Sequence, residues 1–213
     1  MNRYKLLIAN LPVRQQCFTT KRTTWKNVEN RIEWLKQLND DLFGDNKTLT
    51  INRQDIFDTT SLRELIIKTI YWGYTGGMRG NNFINILEKI DLIETAIKEL
   101  KNKPNPNTND FNKLKITFEN VKGLGLSTYS KLLYFSDLTF NNYPCLILDQ
   151  RLINVFKDKT YSEYDLLNGI RYSNAAKKYL DYLQLTNRIS KDLETNGENI
   201  EQFLFIFGNN IKE

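Results

Sequence analysis

Asp149 and the Gly123-x-Gly125 turn are the residues whose types and spacing suggest chemistry. A Gly-x-Gly pair lets the backbone turn tightly at positive φ and come close to a partner. Where such a turn opens a helix, the exposed amides can hold a phosphate oxygen, helped by the helix dipole. Ser127 and Thr128 follow at once, with hydroxyls suited to capping or a second phosphate contact, and Lys113, Lys115, Lys122 and Lys131 place positive charge around the turn. Asp149, in Ile147-Leu148-Asp149-Gln150-Arg151-Leu152, opens an amphipathic helix. A carboxylate there can cap the amides of Arg151 and Leu152, or stabilise positive charge developing on a substrate. Each feature has an ordinary alternative. The glycines could simply join two helices, and the Asp could be a cap and nothing more.

The rest of the composition narrows the chemistry. With no His among 213 residues, the usual general base and every Ser-His or Cys-His arrangement are missing. Catalysis would have to use Asp, Glu, Lys, Tyr or bound water. Cys17 and Cys145 share no metal-ligand spacing, so neither a zinc site nor an iron-sulfur cluster is expected. A reducing cytoplasm suits them. Thirty Lys and Arg against 25 Asp and Glu give a net charge of +5 and a pI of about 9.0, which favours a polyanionic partner but equally describes an ordinary basic surface. The first apolar run, Leu6 to Ala9, is too short to cross a bilayer, so no membrane association is expected.

The elements that must position these residues read as helices. Trp25 to Leu42 carries a stripe of Trp25, Val28, Ile32, Leu35 and Leu42 and ends at Gly44-Asp45-Asn46. Ser61-Leu62-Arg63-Glu64 has capping-box spacing, with Leu62, Leu65, Ile66, Thr69 and Ile70 on the buried face that follows. The stretch Trp72 to Asn82 is too Gly-rich to stay helical. Phe83 to Lys101 resumes, and Asn102 to Asn109 is a polar linker. Phe111 to Asn120 leads into the turn, Ser127 to Phe135 leaves it, and a loop at Asn141 to Pro144 precedes Asp149. The stretches 164–169, 173–193 and 200–207 read as helical, with Phe203, Phe205 and Phe207 as core. No sustained alternation predicts a large sheet, so the expected class is all-α.

The aromatic-glycine stretch invites a binding role. Tyr71, Trp72 and Tyr74 precede Arg79 and Asn81-Asn82, and such residues stack on bases, hold phosphates and read base edges. Equally, Tyr71 and Trp72 could finish a core helix that the glycines merely turn.

Taken together, Val121-x-Gly123-Leu124-Gly125-x-Ser127-Thr128 and the following Ile147-Leu148-Asp149 resemble the helix-hairpin-helix DNA glycosylase superfamily, with Lys122 where Pro is common. Tyr71-Trp72-Gly73-Tyr74 and Gly77 to Asn82 are similar to bacterial proteins with the 8-oxoguanine DNA glycosylase fold. The resemblance implies one domain over 1–213, with two helical lobes around a cleft, a lobe boundary at 102–110 and the helix-hairpin-helix at about 111–135. It implies base excision repair of double-stranded DNA by a monomer. A damaged base, an oxidised purine by preference, would be flipped out and its glycosidic bond cleaved through Asp149. Lys122, Gly123, Gly125, Ser127, Thr128 and Lys131 would contact DNA, while Trp72, Arg79 and Asn81 would form the pocket or a wedge. No metal or cofactor is implied, and a monovalent cation at the hairpin is the one ion left open. Some superfamily members attack the sugar with a Lys after the hairpin. The matching residue here is Ser127, which cannot form an imine, so a monofunctional enzyme is implied. Lys131, four residues on and on the same helical face, reads as solvated or phosphate-facing, with substitution for the missing amine as its alternative. The competing functions are a catalytically silent helix-hairpin-helix DNA-binding module and, more distantly, a helical protein-interaction domain.

Overall fold

Apolar residues at helical spacing dominate the chain, and the computed structural model, which describes residues 1–211, is mostly helical as that pattern requires. In chain order the elements are α1 (Lys5–Ala9), β1 (Cys17–Lys21), α2 (Arg22–Glu29), α3 (Glu33–Phe43), β2 (Thr48–Asn52), α4 (Arg53–Phe57), α5 (Leu62–Gly73) and α6 (Asn82–Leu87). There follow α7 (Ile90–Lys101), α8 (Thr108–Glu119), α9 (Leu126–Phe135), β3 (Thr139–Phe140), β4 (Tyr143–Pro144), α10 (Gln150–Lys157), α11 (Tyr179–Asp192) and α12 (Gly197–Phe207). The expectation of an all-α protein holds. Among the described residues no helix is long and apolar enough to cross a membrane.

Several boundaries differ from the sequence pattern, among them the helix read over 173–193, which begins as α11 only at Tyr179. The helix expected over Trp25 to Leu42 breaks at Asn30–Ile32, where Ile32 is extended, so α2 folds back on α3. Periodicity carries across the break because Trp25 and Leu35 still reach one core, with Val28, Ile32 and Leu42 packed against it. Phe83 to Lys101 likewise divides at Glu88–Lys89 into α6 and α7. The polar linker ends early because Asn107 and Asp110 cap each other reciprocally and start α8 at Thr108.

The ribbons were not anticipated. β1 and β2 pair antiparallel, Phe18 opposite Ile51 and Thr19 opposite Thr50, whose hydroxyls meet at 2.7 Å. Both strands are short: Leu49 and Ile51 alternate with polar residues in β2 over only five positions, and β1 shows no such alternation beyond Phe18. The loop before Asp149 is a tight hairpin from β3 to β4, with Asn141 and Asn142 both at positive φ, as its two-residue turn requires.

At the centre lies α5, buried on nearly all sides, with α9 and β1 packed against it. Trp25 stacks on Tyr71 at 4.3 Å, and the Tyr71 hydroxyl donates to Asn39. Asn39 in turn donates to Glu29, which also receives Arg22 and Lys26. Burial of Glu29 opposes its charge, but these donors prevail and hold its carboxyl at about 2, below its ordinary 4.5. The folded state therefore binds fewer protons there than the unfolded chain. This contribution is complete above pH 4.5 and is lost as pH falls through about 2. A Glu29→Gln variant is expected to lose stability at neutral pH and to show a flatter acid limb in urea titrations between those values. An acid limb identical to that of wild type would contradict this.

Candidate active site

The hairpin between α8 and α9 turns at Gly123, whose φ is +91°. A Cβ there would stand 2.7–2.9 Å from the Cβ, Cα and carbonyl oxygen of Asn82, so this glycine serves both backbone strain and close approach. Gly125 departs from the expected pattern. Its φ of −80° is ordinary, and it is needed because the Tyr172 hydroxyl would lie 2.5 Å from an added Cβ. Leu124 is buried between them and anchors the turn as expected. Gly125 is the N-cap of α9 without a side chain to cap it, and the amides of Leu126 and Ser127 find no acceptor among the described residues. They remain open to an anion. Gly123→Ala is expected to cost more than about 2 kcal/mol, since neither φ nor the Asn82 backbone can yield. Gly125→Ala should cost less, because the half-exposed Tyr172 can swing away. Urea midpoints of the two variants compare these directly.

Three side chains from two helices hold the backbone leading to Asp149. Ser130 on α9 receives the Leu148 amide at 3.1 Å and donates to the Leu148 carbonyl at 3.4 Å. Tyr179 and Tyr182 on α11 donate to the carbonyls of Leu146 (2.8 Å) and Ile147 (3.1 Å). The carbonyls of Leu146, Ile147 and Leu148 and the Leu148 amide thus have partners, and the end of this segment is fixed. Asp149 is the N-cap of α10, its Oδ1 accepting from the amides of Arg151 (2.9 Å) and Leu152 (3.3 Å), while Oδ2 has no protein partner among the described residues.

Asp149 opens onto a cavity of about 240 Å³ lined by Phe18, Trp72, Gly73, Thr75, Lys131, Ile147, Arg151, Glu201 and Phe205. A larger hollow of about 450 Å³ beside Tyr143 and Arg188 holds none of the residues singled out above.

Lys131 corrects the sequence reading. It is 6% exposed, lies in this cavity, and donates to the Ser127 carbonyl at 2.7 Å. A solvated or phosphate-facing role for it does not survive that placement. α9 packs on α5 through this face, so a lysine in its second turn points inward. Room for it comes from Gly73, where a Cβ would stand 3.1 Å from both Cδ and Cε of Lys131. Burial lowers the Lys131 pKa, opposed by the charges of Asp149 and Glu201. Thr128 is a second correction: it is buried, and its hydroxyl meets that of Tyr74 at 2.6 Å instead of facing a phosphate.

Trp72 lines the cavity, its indole NH donating to the Gln16 carbonyl and its ring meeting Phe18 edge-on at 5.0 Å. Arg79 and Asn81 are exposed and lie outside the cavity, on the loop whose Asn82 packs on Gly123. Lys122 is exposed and Ser127 half-buried beside the open amides. Phe203 is core, whereas Phe205, expected to be core, is half-buried on the cavity wall beneath Arg151, 4.7 Å from its ring centre. Phe18, Glu201 and Arg151 were not anticipated. No local pattern marks Phe18 or Glu201, while Arg151 stands two residues after Asp149.

A hairpin with open amides thus lies beside a cavity that holds an Asp and a buried Lys, and a comparison with protein families identifies the family. The family model described as "Putative 8-oxoguanine DNA glycosylase OGG-like protein" matches residues 11–205. The chain belongs to this OGG-like family. No curated protein and no solved structure matches it. The matched range of the OGG-like chain includes every cavity-lining residue and the whole hairpin.

Proposed function

We propose that this OGG-like protein is a DNA N-glycosylase that extrudes an oxidised purine from double-stranded DNA and cleaves its glycosidic bond with the help of Asp149. The observation that carries this is the shared cavity of Asp149, Lys131 and aromatic walls next to a hairpin with open amides. The α8–hairpin–α9 unit also supports membership of the helix-hairpin-helix superfamily. Amides of Leu126 and Ser127, with Lys122 beside them, would hold the DNA backbone while the base enters the cavity. As the C1′–base bond breaks, positive charge grows on the sugar, and the free Oδ2 of Asp149 stabilises it or orients a water toward C1′. Its Oδ1 stays with the helix amides, so the carboxylate keeps its aim.

The placement of Lys131 favours a second course for the same site. Ser127 was the reason to expect no strand cleavage, yet an amine reaches the cavity from one turn further along α9. Its lowered pKa increases the share of neutral amine, the form that attacks carbon. In this course the Lys131 nitrogen bonds to C1′ as the base departs with the bonding electron pair. Loss of a proton and opening of the sugar ring then yield a Schiff base, and elimination from it cuts the strand.

The test is base release from end-labelled duplexes carrying 8-oxoguanine, uracil, an alkylpurine or an adenine mismatch, with and without alkali. Breaks only after alkali identify a monofunctional enzyme, and breaks without alkali identify the lysine route. Tight, salt-sensitive duplex binding with no release from any lesion would instead indicate a silent binding module.

A further inference from the structure

Lys131 shares its cavity with two carboxylates, Asp149 and Glu201, yet forms no ion pair with either among the described residues. A buried ammonium ordinarily closes on a neighbouring carboxylate, because an unpaired charge is costly away from water. Here its hydrogen-bond acceptor is the Ser127 carbonyl, one turn back on its own helix. Its Nζ also lies over the ring of Tyr74, 5.8 Å from the ring centre, which is within reach of a cation–π attraction. Tyr74 is firmly seated for this contact. Its amide donates to the Ile70 carbonyl at 2.9 Å, and its own carbonyl receives the Gly77 amide at 2.8 Å. Its hydroxyl meets Thr128, which stands on α9 three residues before Lys131, so ring and amine are tied to the same helix. Gly73 and Thr75 line the cavity while Tyr74 between them does not, so its ring is not offered to a base that enters. Burial raises the Tyr74 pKa above its ordinary 10.0 and keeps the phenol neutral.

Resting on the glycosylase reading, we propose that Tyr74 is a positioning residue whose ring holds the Lys131 amine on the Ser127 carbonyl and off Asp149, so that Oδ2 of Asp149 stays open to the sugar. Both courses of the reaction need this separation. A carboxylate paired with Lys131 would have its charge already neutralised when positive charge grows on the sugar. An amine paired with Asp149 would be held as the ammonium, the form that cannot attack carbon.

The test is an NMR titration of the Lys131 side chain in the protein without DNA, assigned by the signal missing from Lys131→Met. Wild type, Tyr74→Leu and Tyr74→Phe are compared. Loss of the ring frees the amine to pair with Asp149, so Tyr74→Leu should raise its titration midpoint by roughly one pH unit or more, the effect of an opposite charge brought into contact. Tyr74→Phe restores the aromatic face and should return the midpoint to near that of wild type. Loss of the cation–π contact alone would do the opposite and lower the midpoint, because the ring favours the ammonium. Single-turnover release of 8-oxoguanine should fall roughly 10- to 100-fold in Tyr74→Leu, the scale of a displaced catalytic group, and recover in Tyr74→Phe. An unchanged or lower midpoint in folded Tyr74→Leu overturns the proposal. Should that variant fail to fold, Asp149→Asn decides. With the amine held off Asp149, the Lys131 midpoint falls by less than about one pH unit, whereas a larger fall means that the two are paired and overturns the proposal. Wild type that releases no base from any duplex would refute the glycosylase reading alone, since the titration needs no DNA.

Discussion

Asp149→Asn is expected to lower base release by about 10²- to 10³-fold, the scale of losing one aligned electrostatic group at a developing charge. Stability should change by less than about 1 kcal/mol, because Asn caps helices about as well as Asp and its oxygen can receive the amides of Arg151 and Leu152 in the same way. What the variant loses is the negative charge, and the oxygen without a protein partner becomes an amide nitrogen. Affinity for a duplex with an abasic-site analogue should be retained, since the open amides proposed to hold phosphate lie on the hairpin and not on α10. Turnover within a few-fold of wild type would confine Asp149 to capping and remove it from the chemistry.

Lys131→Met is expected to abolish both strand breakage without alkali and the covalent complex that borohydride traps on a duplex containing 8-oxoguanine. Met has similar length and suits a buried site, and the Ser127 carbonyl keeps the backbone bond of the helix. The variant should be at least as stable as wild type at neutral pH. The sign follows from burial, which lowers the Lys131 pKa below its ordinary 10.5, so the unfolded chain binds more protons between the two values. Wild-type stability therefore rises with pH across that window, and the advantage of Lys131→Met shrinks. Trapping by wild type should likewise rise with pH and level off earlier than for an exposed lysine. A trapped complex that persists in Lys131→Met would assign the chemistry to another amine. Wild type that releases base but never traps would leave Asp149 and water as the whole mechanism, as Ser127 implied.

Much of this architecture is legible in local sequence because its causes are local. Stripes at helical spacing mark α5, α7 and α9, and the cap at Ser61 marks where α5 begins. The positive φ of Gly123 and the capping by Asp149 are also near-neighbour effects, set by residues within a turn. The break between α2 and α3 was not legible, because the apolar stripe continues through it and the buried Glu29 network spans both helices.

The sequence by itself determined the helical class, the open turn before α9 and an aspartate poised at the start of α10. Only the tertiary structure decided which side chains meet Asp149. Lys131 could point to solvent or inward, and the packing of α9 on α5, with no Cβ at Gly73 to obstruct it, turns it inward. Phe18 arrives from a ribbon near the beginning of the chain, and Glu201 and Phe205 arrive from its last helix. Their common wall is a product of long-range packing, which no periodicity within a single segment can encode.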